Sequence, residues 1–190
     1  MTPKRPRSAV RLFGKSLRSQ RSKNRSKAQG SSSTVKRVAI GSDHGGFQLK
    51  ARLIAWLQAK GLVIADLGTH DPKPCDYPLI GYKVAGAIAQ GSFERGILLC
   101  KSGVGIAIVA NKLPGIRAAV CNDLYDAERS RTHNDANILV LGAEKLSESQ
   151  ARRIVETWLN AAFESGGRHQ RRVDQIAAIE EAILKRKTLS

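Results

Sequence analysis

From residue 38 onward, short unbroken apolar runs alternate with stretches in which apolar residues return every three or four positions. The first run is Val38-Ala39-Ile40-Gly41. After it, Leu49, Leu53, Ile54 and Leu57 recur at helical spacing and predict a helix over 47–60, with Gly61 as its cap. Residues 62–67 read as a second strand, and the turn-rich stretch 68–78 as a loop before a helix over 80–90. Residues 96–100 form the third apolar run, followed by a helix over 105–113. A fourth run at 116–121 precedes a helix over 124–131. A fifth at 138–141 precedes an amphipathic helix over 148–163, and a last helix is expected over 173–185.

Runs this short and this uniformly apolar fit strands buried on both faces, which is the habit of parallel sheets. Their regular alternation with helices predicts an α/β fold. We expect a doubly wound, Rossmann-like, five-stranded parallel sheet with helices on both faces, in a single domain. Ligands of such sheets bind beyond the carboxyl ends of the strands.

Several polar residues fall at or near those ends. Asp43 and His44 follow strand one, and Asp76 and Tyr77 lie after strand two. Cys100 ends strand three and is followed by Lys101-Ser102-Gly103-Val104-Gly105. A Gly/Ser turn opening a helix is a cradle of backbone N–H groups able to hold a phosphate or an oxyanion. A helix N-terminus favours negative charge, so a thiol there is a usable base or nucleophile; equally, a free cysteine is often a small buried hydrophobe. The turn itself can be no more than a tight bend that needs small residues. Asp43 and His44 can be a capping pair for the next helix. His133 and Asn134 lie just before strand five. They reach the other residues only if their helix end bends over the sheet edge or enters a neighbouring subunit. Otherwise His133 is a histidine favoured by the helix C-terminus. Arg168 and Arg172, four apart, share a face if the last helix extends back to include them. Two guanidiniums on one face suit a phosphate, or form a solvated basic face.

Charge changes the picture mainly at one end. Eleven of the 32 basic residues and none of the 16 acidic ones lie in residues 1–36, which leaves the other 154 residues with a net charge of +5. Residues 1–35 therefore read as a disordered Arg/Lys/Ser-rich extension, and residues 36–185 as the folded domain. The extension suits a transit segment, a basic arm for nucleic acid, or a dispensable addition; nucleic acid is not expected as a partner except through this segment. No apolar stretch approaches the length that spans a bilayer, so no membrane partner is expected. The three cysteines, Cys75, Cys100 and Cys121, are odd in number and irregularly spaced, which argues against a disulfide framework or zinc site and for a reducing, cytoplasmic compartment.

Six segments in order carry a more specific signal: AIGSDHGGFQLK, GTHDPKPCDYP, GILLCKSGVGIAIVANK, GIRAAVC, RTHNDANILVLG and GGRHQRRV. With them the chain, over about residues 36–181, resembles the ribose-5-phosphate isomerase B family, which includes the galactose-6-phosphate isomerase subunits. The resemblance implies interconversion of an aldose phosphate and a ketose phosphate without a metal or organic cofactor. It implies Cys100 as the base that moves the proton between neighbouring carbons, assisted by Ser102. The backbone of Ser102, Gly103, Val104 and Gly105 would stabilise the enediolate. His133 would open the furanose ring, with Asp43 gripping the ring oxygens. His44, Arg168 and Arg172 would bind the phosphate, and Tyr77 and Asn134 would line the pocket. Family members are dimers or tetramers with shared sites, so a homodimer or homotetramer is expected. Ribose 5-phosphate and ribulose 5-phosphate are the expected pair. A six-carbon sugar phosphate, or a non-catalytic sugar-phosphate sensor with a basic arm, is the alternative. Two positions depart from the family pattern. Lys101 stands where glycine is usual, where a cation would favour the Cys100 thiolate, bind substrate or crowd the turn. Glu144 stands where an arginine is common, and would repel a phosphate unless it points away.

Overall fold

The structure, a computed structural model, describes residues 37–188, with side chains to 186. The expected basic extension, 1–35, lies outside the described residues. The elements alternate as the hydropathy pattern requires: β1 Arg37–Ser42, α1 Phe47–Ala59, β2 Val63–Asp66, α2 Tyr77–Ala89, β3 Arg95–Cys100, α3 Val104–Ala110, β4 Ala118–Val120, α4 Leu124–Thr132, β5 Ile138–Gly142, α5 Glu148–Asn160 and α6 Gly167–Thr188. The five strands are all parallel, in the order β2-β1-β3-β5-β4.

Alternate side chains of the central strands enter two separate cores, because successive residues of a strand face opposite ways. Val38, Ile40, Ile97, Leu99, Leu139 and Leu141 pack with Leu53 and Leu57 of α1, Ala127 of α4, and Ile154, Val155 and Trp158 of α5. Ala39, Leu98, Ile138, Val140 and Cys100 pack with Val84 and Ile88 of α2 and Ile106 and Ala110 of α3. Burial of every central strand on both faces explains why these strands read as continuous apolar runs.

Several helix boundaries differ from those expected, α3 ending at Ala110 rather than 113 among them, and three have a local reason. α2 begins at Tyr77 rather than 80, because Pro78 occupies the first turn, where a missing N–H costs nothing. α5 stops at Asn160 rather than 163, because Ala161 turns extended and the chain is drawn back, with the Glu164 N–H donating to the Thr132 carbonyl at 3.0 Å. α6 starts at Gly167 rather than 173, which places Arg168 and Arg172 on one helix, a turn apart.

Candidate active site

β3 ends at Cys100, 4% exposed, and the chain then turns through Gly103 into α3. Gly103 has φ of +81°, a conformation open to glycine with little strain, and that twist folds its N–H back to donate to Cys100 Sγ at 3.1 Å. The Val104 N–H is directed at Ser102 Oγ at 3.4 Å. Two N–H groups of the turn are thus engaged by the turn's own side chains. Those of Ser102 and Gly105 have no protein acceptor among the described residues. Tyr77, the first residue of α2, lies directly over the turn: a Cβ on Gly105 would sit 2.6 Å from the ring carbon Cζ and 2.7 Å from its hydroxyl.

Asp43 and His44 follow β1 at the same edge of the sheet. They do not cap α1, whose N-cap is Gly46 with no side-chain cap. Instead the Gly46 N–H donates to Asp43 Oδ1 at 3.2 Å, which holds this buried carboxylate in place. His44 Nδ1 lies 3.1 Å from the N–H and 3.2 Å from the carbonyl of Cys75, so its position is set by the loop after β2. That loop is itself anchored by Lys50, which is 1% exposed. Its Nζ donates to Asp66 at 2.6 and 2.8 Å and to the Thr69 carbonyl at 2.6 Å, while the Thr69 N–H donates to the Ser42 carbonyl beside Asp43 at 3.0 Å. Sequence reasoning assigned Lys50 no role, although it ends the AIGSDHGGFQLK segment.

Lys101 does not crowd Cys100. Its stem passes over Gly45, whose Cβ would lie 2.4 Å from Lys101 Cγ, and its Nζ stands 3.8 Å from Glu144 Oε1. Glu144 therefore points its charge at Lys101.

His133, Asn134, Arg168 and Arg172 gather elsewhere. β3 and β5 pair Gly96 with Ile138 and Cys100 with Gly142. His133 precedes Ile138, beside the start of β5, whereas Cys100 is level with its end. Four residues of strand rise separate the two levels by about 13 Å. One chain thus carries its candidate residues at opposite edges of the sheet, and the helix end does not bend over to join them. At the amino edge, His133 stacks on His169 with ring centroids 3.9 Å apart and planes 11° from parallel. Arg129 Nη1 lies 3.0 Å from His133 Nε2, and Arg168 Nε donates to His169 Nε2 at 3.3 Å. Burial first, then the neighbouring His133 and Arg168, pulls the His169 imidazole below its ordinary value, against the opposite pull of Glu164. Burial, and then Arg131, lowers the nearby Arg95 guanidinium to about 10. His133, Glu164 and His169 bring three ligand-type atoms within 4.8 Å of one another. Both imidazole Nε2 atoms already accept from arginines, and so many guanidiniums select an anion rather than a cation. Sequence reasoning missed Arg129 and His169, although His169 sits inside GGRHQRRV.

A strand-end thiol, an N–H cradle, a carboxylate and a separate arginine–histidine group suit proton transfer beside the carbonyl of a phosphorylated sugar. The comparisons with known proteins bear on the class of enzyme. The Ribose/Galactose Isomerase family model matches residues 38–176. Ribose-5-phosphate isomerase B of Escherichia coli is 47% identical over 147 residues, which cover 77% of this chain and 98% of that one. D-erythrulose-4-phosphate isomerase of Pectobacterium atrosepticum is 45% identical over 132 residues, 68% of this chain and 86% of that one. The solved ribose-5-phosphate isomerase B of Clostridium thermocellum superposes with a TM-score of 0.76 at 50% identity, covering 77% and 99% of the two chains. Fold and relatives together define the class, a sugar-phosphate aldose–ketose isomerase. The chain belongs to the ribose/galactose isomerase family. Among the described residues, no helix is long and apolar enough to cross a membrane.

Proposed function

We propose that this enzyme interconverts ribose 5-phosphate and ribulose 5-phosphate through an enediolate, with Cys100 as the base. The observation that carries this reading is the placement of Cys100 Sγ at the carboxyl end of β3, against the Gly103 N–H, with the Ser102 and Gly105 N–H groups open beside it. Cys100 removes the proton beside the carbonyl and returns it to the neighbouring carbon. The open N–H groups, with Ser102 assisting, receive the charge that develops on the oxygens. Asp43 accepts hydrogen bonds from the sugar hydroxyls. His44 and Lys101 add positive or donor character at the carboxyl edge, and Tyr77 walls the pocket.

The ring-opening and phosphate-binding groups, His133, Asn134, Arg168 and Arg172, come from a second copy of the chain. Their position at the opposite sheet edge supports this, as does α6, which exposes Ile176, Ile179 and Ile183 at helical spacing. A symmetric pairing would complete two sites at once. Residues 36–185 form the isomerase domain, the 1–35 extension is not needed for turnover, and the enzyme works in the cytoplasm.

The test is turnover of purified protein on four-, five- and six-carbon sugar phosphates. Preference for ribose 5-phosphate by kcat/KM supports the reading, and preference for a four- or six-carbon substrate refutes the substrate assignment. A Cys100→Ala protein should lose about 10²- to 10⁴-fold in kcat; wild-type turnover in that variant would refute the assignment of the base.

A further inference from the structure

Nε2 of His133, the nitrogen nearest Arg129, is occupied in the free chain. Arg129 lies one turn earlier on α4, with Nη1 at 3.0 Å from that nitrogen. A guanidinium has donors only and keeps its charge. The contact therefore uses the Nε2 lone pair and fixes the tautomer with the proton on Nδ1. His169 covers one face of the same ring.

A neutral imidazole has a single lone pair, and ring opening of a furanose needs it. The lone pair takes the proton of the anomeric hydroxyl. The same nitrogen then returns that proton to the ring oxygen as the bond from the anomeric carbon to that oxygen breaks and the carbonyl forms. With Arg129 on Nε2, His133 cannot begin this sequence.

Arg129 is weakly committed to its resting place. Its Nε is buried without a hydrogen-bond acceptor, and its guanidinium carbon rests 5.4 Å from the Tyr125 ring. A phosphate carries full negative charge and can accept two parallel bonds from arginine, whereas the His133 nitrogen offers one lone pair. In a furanose 5-phosphate only two carbons separate the ring oxygen from the phosphate ester oxygen. A side chain adjacent to His133 is therefore within reach of the phosphate when His133 meets the ring.

We propose that Arg129 is a substrate-displaced cap on His133: the phosphate of the incoming sugar draws the guanidinium off Nε2 and exposes the lone pair only when substrate is bound. The inference rests on the assignment of His133 to ring opening, and it makes Arg129 a phosphate ligand as well as a positioning residue.

The experiment uses the full chain labelled with ¹⁵N-histidine and titrated with inorganic phosphate. The expected result is a shift of the His133 Nε2 resonance toward that of an uncapped nitrogen. In Arg129→Met the uncapped position is present from the start and phosphate does not move it. In the same variant KM for ribose 5-phosphate rises about tenfold, the loss of one charge-assisted bond, and kcat is retained. Arg129→Lys, which keeps a donor, falls between the two. The inference is overturned if His133 Nε2 does not respond to saturating phosphate in the wild type, or if Arg129→Met lowers kcat at unchanged KM, since Arg129 would then hold His133 in its working geometry. His133→Ala tests the underlying assignment separately. Undiminished turnover of ribose 5-phosphate in that variant refutes ring opening by His133, whatever the phosphate titration shows.

Discussion

Nζ of Lys101 lies 3.8 Å from Oε1 of Glu144, joining the loop after β3 to the turn after β5. These are the two positions expected from the sequence to depart from the family's pattern, and they face each other. Both side chains are more than half exposed, at 59% and 64%, so the pair contributes less than about 1 kcal/mol to folding. Its consequence is electrostatic. On the proposed reading, Glu144 competes with the anionic substrate for Lys101, and Lys101 offsets the Glu144 carboxylate. Lys101→Met should raise KM for the sugar phosphate and Glu144→Gln should lower it, both effects shrinking at high salt. Steady-state kinetics at two ionic strengths, with a urea titration as the stability control, checks this. Unchanged KM in both variants would remove Lys101 from the binding site.

Gly105 has no room for a side chain because Tyr77 lies on it. Gly105→Ala should displace the Tyr77 ring, cost about 1–3 kcal/mol of stability and lower kcat/KM. Tyr77→Phe added to it should not help, since ring carbons as well as the hydroxyl are in contact. Tyr77→Ala should restore stability but not affinity. Urea unfolding and substrate kinetics on the four proteins separate these outcomes.

The His169 imidazole is held below its ordinary value, first by burial and then by its cationic neighbours. The folded state therefore binds fewer protons here than the unfolded chain does, and stability rises with pH through this window. The contribution is complete above about pH 6.5, the unfolded value, and is lost as pH falls below it. Thermal midpoints of the wild type and His169→Gln should diverge in pH dependence below that value, with the variant showing the flatter profile. Parallel profiles would contradict the assignment of the shift to this stacked, arginine-flanked site.

Much of the fold was legible because the signal was local. The apolar runs around Val38, Ile97 and Leu139 are strands buried on both faces, and the spacing of Leu49, Leu53 and Leu57 is that of a helix packed on one of them. Boundaries failed where local bias was overridden: Pro78, placed in the loop 68–78, lies in the first turn of α2, and α6 begins at Gly167, a residue type unfavourable in helices. The cradle after Cys100 was legible because its parts are consecutive. Lys101 and Glu144 lie on different strand-end turns, and no periodicity predicts their meeting. His169 was not assigned for the same reason. Its significance is a stacking contact with His133, created by the return of residues 161–166 toward the end of α4.

The central claim is that each active site joins Cys100 of one chain to His133 of another, since one chain holds them at opposite edges of its sheet. The most direct measurement is complementation between Cys100→Ala and His133→Ala chains, each inactive on ribose 5-phosphate, co-expressed with different tags and purified through both tags in turn or as a random mixture. In a random mixture of dimers half are mixed, and each mixed dimer carries one intact site of two, so about a quarter of wild-type activity should return. Activity no greater than that of either parent, in a preparation that contains mixed oligomers, would contradict the shared site.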